Sequence, residues 1–242
     1  MAELLNRHGL AGTFYIPIHN CEGGSVMSSA QIRILSQQFE IGSHTYSHRF
    51  LSQVNIEQAK FEIMKGKTVL EDILGQHVVG FCYPGGKFRQ EHALLVKSSG
   101  FLYARTAMNL CFDAGSNQYE MATTCQFYPH QRAVFLRNFV RGGRWLSRHE
   151  GLVLAFNRNN WLARTYALFD HACENDAIFH LWCHSEDIDK LNAWDDLDEF
   201  FAYVQACVPR QNRLSNEQLA QRFFPATCET AHNLSPIHDI SR

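Results

Sequence analysis

A chain of 242 residues, 45% apolar and 19% charged, is long enough to bury a large core without disulfide or metal staples. With 24 acidic and 22 basic side chains the formal charge is −2, and Lys and Arg read as scattered, which argues against a nucleic-acid partner. No apolar run approaches bilayer-spanning length and MAELLNRHGLAG carries no apolar leader, so neither a membrane span nor a secretory route is expected. Eight cysteines are present without any C-x-x-C spacing. They read as reduced thiols of a cytoplasmic protein rather than a disulfide framework or a cysteine-based zinc site.

In chain order, GTFYIP (12–17) reads as a strand closed by Pro17. SSAQIRILSQQ (28–38) reads as a helix with Ser28 and Gln31 in capping-box spacing, and FEIGS (39–43) as the next strand, ending at His44. A longer helix is predicted from Asn55, with Ile56, Ala59, Ile63, Leu70 and Leu74 along one side and Gly75 as its stop. VVGFCY (78–83) is a strand running into Pro84-Gly85-Gly86, 90–99 a helix, and FLYART (101–106) a strand. From 107 to 155 the pattern is weak: ATTCQFYP suggests a strand and RGGRW a loop. Helices are predicted over 160–172, 193–208 and 215–224, the last with Ser215 and Gln218 as a second capping box, and AIFHLWCH (177–184) as a strand. Residues 225–242 show no periodicity and are expected to be an unstructured tail behind a single domain of 1–224.

This alternation of strands and helices argues for α/β architecture with a parallel sheet, open or closed into a barrel. In either form, functional groups belong at the C-terminal ends of strands. His44, the Pro84-Gly85-Gly86 turn and His184 all fall at such ends.

IGSHTYSH (41–48) places His44 and His48 four residues apart, a spacing that lets two imidazoles share one ion. Spacing alone is weak evidence, since His180 and His184 repeat it. Zinc suits imidazole, and a catalytic zinc keeps three protein ligands and an open position. Gly85 and Gly86 allow backbone N–H groups close to a substrate, which makes Gly85, with Tyr83 beside it, a candidate substrate contact. Core packing is the competing reading for Tyr83 and Trp182, and a solvated acidic loop for Glu186, Asp187 and Asp189. Pro129-His130 could enter the pocket.

The order G-T-F-Y-I-P, I-G-S-H-T-Y-S-H, G-F-C-Y-P-G-G and F-H-L-W-C-H-S resembles the polysaccharide deacetylases of carbohydrate esterase family four, from about Leu4 to Phe224. The resemblance implies a deformed (β/α) barrel of about seven strands and metal-dependent removal of N-acetyl or similar groups from a carbohydrate. It further implies His44 and His48 as ligands of zinc or another divalent metal, His184 as the acid that protonates the leaving amine, and the Gly85 N–H as an oxyanion donor.

Two departures bear on this. The family's T-F-D-D-G motif, which supplies a base and a third ligand, has no counterpart, so the first strand is expected to be missing from this chain. The family's Arg two residues before the Pro of the third motif is Cys82 here. A catalytically inactive relative that binds glycan or metal is therefore the alternative expectation. A zincin peptidase is excluded because H-T-Y-S-H lacks the Glu of H-E-x-x-H.

Overall fold

The computed structural model describes residues 1–225, so the expected tail lies, apart from Pro225, outside the described residues. Helix α1 (Ala2–Arg7) leads into β1 (Thr13–Ile16), α2 (Ser29–Ser36), β2 (Glu40–Ser43), α3 (Ile56–Leu74), β3 (Gly80–Cys82), α4 (Gln90–Ser98) and β4 (Tyr103–Arg105). These four strands form one parallel sheet in sequential order, with Thr13 opposite Glu40, Ser43 opposite Phe81 and Cys82 opposite Arg105. Then follow β5 (Cys125–Gln126), α5 (Arg132–Gly142), α6 (Trp145–Phe156), α7 (Trp161–Glu174), β6 (Leu181–Trp182), α8 (Ser185–Leu191), α9 (Trp194–Cys207) and α10 (Asn216–Phe223). β5 and β6 pair in parallel, and a bridge from Arg105 to Met121 extends the first sheet towards them. The parallel α/β reading holds. Among the described residues there are six strands in an arc, in two sheets of four and two, and the arc is not closed into a ring.

The local reasons are visible in the caps. Ser28 accepts from the Gln31 N–H and Gln31 answers at the Ser28 N–H, and Ser215 and Gln218 repeat the device on α10. Asn55 caps α3, and Gly75 ends it in the left-handed region at φ +68°. Two elements differ from expectation. RGGRW is a tight junction rather than an open loop, with Arg141 and Gly142 finishing α5 and Trp145 opening α6. The acidic run after His184 is helical, since α8 sets Ile188 into the core and its carboxylates at a helix N-terminus. Lys and Arg are not evenly scattered either: six of the 22 are arginines within 132–158, on and around α5 and α6.

Alternation sends Phe14, Ile16, Ile41 and Phe81 into the main core beneath the helices, and turns Tyr15, Gly42, Gly80, Tyr103 and Arg105 to the opposite, inner face of the arc. A Cβ on Gly42 would fall 2.5 Å from the Tyr15 ring and one on Gly80 2.2 Å from the Tyr103 hydroxyl, so each glycine makes room for a tyrosine lying over it. Helix α10 closes the N-terminal end of this face. Leu219 and Ala220 pack with Tyr103 and Met121, and the Asn216 N–H donates to Thr13 Oγ1 at 3.0 Å. The Asn216 amide donates to Tyr15 Oη, Tyr15 to Tyr103 and Tyr103 to Glu40, while the Glu217 N–H also reaches Glu40. Every member of that chain is satisfied.

Candidate active site

His44 continues β2 at the C-terminal edge of the inner face, and its N–H donates to the Ile16 carbonyl at 3.3 Å. The loop after it is tightly held. Thr45 and His48 sit in the left-handed region at φ +67° and +58°, conformations that non-glycine residues keep only when their surroundings enforce them. Helix α3 does the enforcing. Glu62, 1% exposed, accepts from the Ser47 N–H at 2.8 Å and Ser47 Oγ at 2.6 Å, while its carbonyl takes the Tyr46 N–H. Gly66, one turn on, lets the loop backbone in: a Cβ there would stand 2.9 Å from the Thr45 carbonyl carbon. Sequence reading missed both residues, because a Glu and a Gly inside a long helix carry no local signal of what they hold.

The outcome is two imidazoles with ring centres 5.0 Å apart. His44 Nδ1 lies 2.7 Å from the Cys82 carbonyl oxygen. A carbonyl only accepts, so Nδ1 carries the proton and Nε2 keeps the lone pair, the arrangement that orients metal-binding histidines. Burial lowers the His44 pKa to about 4; the Cys82 carbonyl opposes this, and His48 and His184 lower it further. At neutral pH the ring is therefore uncharged. His48 Nδ1 is buried without a hydrogen-bond partner among the described residues, and the Glu22 carboxylate stands 3.5 Å from it. Burial pushes the Cys82 thiol up to about 12, which removes it as a thiolate ligand or nucleophile.

Across the mouth, Gly85 and Gly86 take φ +61° and +64°, and a Cβ on Gly86 would fall 2.6 Å from the Ala107 backbone nitrogen. The Gly86 N–H donates to the Tyr83 carbonyl at 2.8 Å. Tyr83 corrects the substrate-contact expectation: its side chain is 1% exposed, stacked on Phe88, with its hydroxyl on the Tyr119 carbonyl. It belongs to the core.

His184 caps the start of α8 and is 60% exposed. Its Nδ1 lies 3.0 Å from Asp187 Oδ2, Gln126 Nε2 donates to the same carboxylate oxygen at 3.4 Å, and His130 Nε2 meets Gln126 Oε1 at 2.8 Å. Of the acidic run Glu186, Asp187 and Asp189, Asp187 is the carboxylate that stands against His184. His130 reaches this line of side chains; His180 lies deeper, its backbone bonded to Thr124.

The fit of a divalent ion can be judged from these donors. His44 and His48 offer two converging rings, one with its lone pair fixed, which suits two ligand positions. Among the described residues no group of three His, Cys, Asp or Glu side chains converges to hold an ion. Further ligands would have to come from water, substrate or another carboxylate.

Comparison with known proteins bears on the same region. The sequence profile of the family described as polysaccharide deacetylase matches residues 1–104. The chain is thus similar to that family over 104 of its 242 residues. Over 105 residues the chain is 30% identical to the peptidoglycan deacetylase-like protein FGM2 of Gibberella zeae, covering 43% of this chain and 30% of that protein. Over 92 residues it is 27% identical to the uncharacterized protein YlxY of Bacillus subtilis, covering 37% and 27%. The matched segments thus span under a third of these curated relatives. A Mycobacterium smegmatis protein assigned to the polysaccharide deacetylases shares the fold at TM-score 0.57 and 18% identity, over 91% of this chain and 74% of that one. The deacetylase profile includes His44, His48 and Gly85 and stops before His184, which therefore rests on geometry and on its own motif.

Proposed function

We propose that this chain hydrolyses an N-acyl group, acetyl first of all, from a carbohydrate, using zinc or another divalent ion held by His44 and His48. The observation that carries the reading is His44, whose Nδ1–H is fixed on the Cys82 carbonyl at 2.7 Å with the His48 ring 5.0 Å away. The match of residues 1–104 to the polysaccharide deacetylase family model supports it. When bound, such an ion polarises an amide carbonyl and makes water nucleophilic near neutral pH. The chain's own groups do the rest. Asp187 fixes His184 by its Nδ1, which leaves Nε2 to deliver a proton to the departing amine. The Gly85 N–H, in a turn that glycine alone adopts freely, donates to the developing oxyanion.

A second reading has an observation of its own: only two ligands converge among the described residues, which suits a protein that binds metal or glycan without turnover. One set of measurements separates the two. Wild type, His44→Ala, His48→Ala and His184→Ala are loaded with zinc, analysed for bound metal, and assayed for acetate release from N-acetylated chito-oligosaccharides. Hydrolysis predicts metal loss in the first two variants. It predicts retained metal with a fall in rate of about 10²- to 10⁴-fold in the third. Bound metal without acetate release favours the binding reading, and metal content indifferent to both histidines defeats their assignment as ligands.

A further inference from the structure

Helices α5 and α6 form a hairpin through Gly143 and Arg144, and its two sides differ sharply. The inner side is a small core of Phe135, Ala155 and Leu110, anchored by Arg148. That arginine is 0% exposed, with its guanidinium on the carbonyls of Asn109, Asn138, Phe139 and Gly143. The outer side carries Leu136, Val140, Trp145, Leu146 and Val153, five of the thirteen exposed large apolar residues among those described. Leu146 is 92% exposed, the most of all. The Trp145 indole N–H donates to the Phe139 carbonyl at 3.1 Å, so its polar edge is satisfied from within while the ring stands outside.

Charge runs the same way. Residues 131–160 hold six arginines and one glutamate, five net positive charges in a chain of net −2, so the remaining residues together carry −7. The glutamate, Glu150, pairs with His171 at 3.2 Å, and Arg144 pairs with Asp113. Arg137 and Arg141 lie one helical turn apart beside Leu136 and Val140, exposed and without an ion-pair partner among the described residues.

We propose that the α5–α6 hairpin docks peripherally on a bilayer with anionic headgroups, setting Val140, Trp145 and Leu146 into the interface with Arg137 and Arg141 on the headgroups. The charge complementarity selects an anionic partner. The apolar residues interleaved with the arginines select a lipid interface over a soluble polyanion, which gives Leu, Val and Trp nothing to enter. Helices of 11 and 12 residues cannot cross a bilayer but can lie in its surface, and no described helix is long and apolar enough to span. The hairpin leaves β5 through Gln126 and His130, the residues joined to Asp187 beside His184. Docking therefore brings the candidate site to the lipid surface.

The test is co-sedimentation of the full chain with phosphatidylcholine vesicles, with and without phosphatidylglycerol, and is independent of catalysis. Binding to the anionic vesicles, weakened by salt and slight on phosphatidylcholine alone, is the expected result. Arg137→Gln with Arg141→Gln should weaken it about 25-fold, near fivefold per charge removed, and Leu146→Ser about tenfold. Because these side chains are exposed, thermal melts should match wild type. The proposal is overturned by binding indifferent to phosphatidylglycerol or to these substitutions. It is equally overturned if heparin or DNA is bound with Arg but no Leu146 dependence, which marks a soluble polyanion surface. Self-association lost in Leu146→Ser without vesicle binding would overturn it too, as an interface between copies.

Discussion

Asp187 accepts from both His184 and Gln126, so its carboxylate sets the tautomer and the angle of the one exposed imidazole at the site. An amide in its place could present its NH2 to Nδ1 and stabilise the other tautomer, with little change in volume. Asp187→Asn should therefore keep wild-type metal content and KM and lose kcat by on the order of 10- to 100-fold. Metal loss would make Asp187 part of the ion site, and an unchanged kcat would reduce it to a helix-capping charge. Nothing in the run SEDIDK distinguishes this carboxylate from its neighbours. Only the first turn of α8 brings it back over His184, whereas His44 and His48 are legible directly because glycine, serine and strand precede them in a fixed order.

Among the elements, α3 has the largest task. Its Glu62 and Gly66 shape the loop that bears the histidine pair, and its Glu71 ties the far end of the helix to the approach of β3. Glu71 accepts from Lys67 Nζ at 2.8 Å, the Val78 N–H at 3.0 Å and His77 Nδ1 at 3.3 Å. Burial raises its pKa, but the Lys67 ammonium and the Val78 N–H outweigh that, so the folded value lies below the ordinary 4.5. The stabilisation is thus complete above about pH 4.5 and lost as pH falls through the lowered folded value. Glu71→Gln should cost about 1–2 kcal/mol at pH 7 in urea unfolding, with the gap to wild type closing in acid. A gap constant from pH 7 to pH 3 would show that shape rather than charge matters there.

Elements with caps and a wide apolar stripe were readable: α2, α3 and α10 stand within a residue or two of their predicted bounds. Segment 107–155 was not, for a physical reason. Its helices expose apolar residues and bury an arginine, so the pattern on which periodicity depends is inverted at Leu146 and Arg148. Strands β5 and β6 do fall within ATTCQFYP and AIFHLWCH as read, each reduced to the two residues that pair with the other.

At the scale of the molecule, the sheet and its helices depend on α10, which shields Tyr103 and completes the hydrogen bonds of Thr13, Tyr15 and Glu40. Leu219→Ala should cost about 2–4 kcal/mol and shift a single cooperative urea transition. If instead α10 came away at low urea with the sheet unmoved, the closure would be an appendage. The Asn216–Thr13 bond joins residues 203 positions apart, and Arg7 and His8 likewise reach Asp198. Contacts so distant along the chain form late and slow folding. During synthesis, β1 and β2 leave the ribosome long before residue 216 exists, with Tyr15, Glu40 and the lower face of the sheet open to water and to other chains. The nascent protein is thus most exposed to misassembly in the interval before α10 emerges, and that is where a chaperone has most to hold.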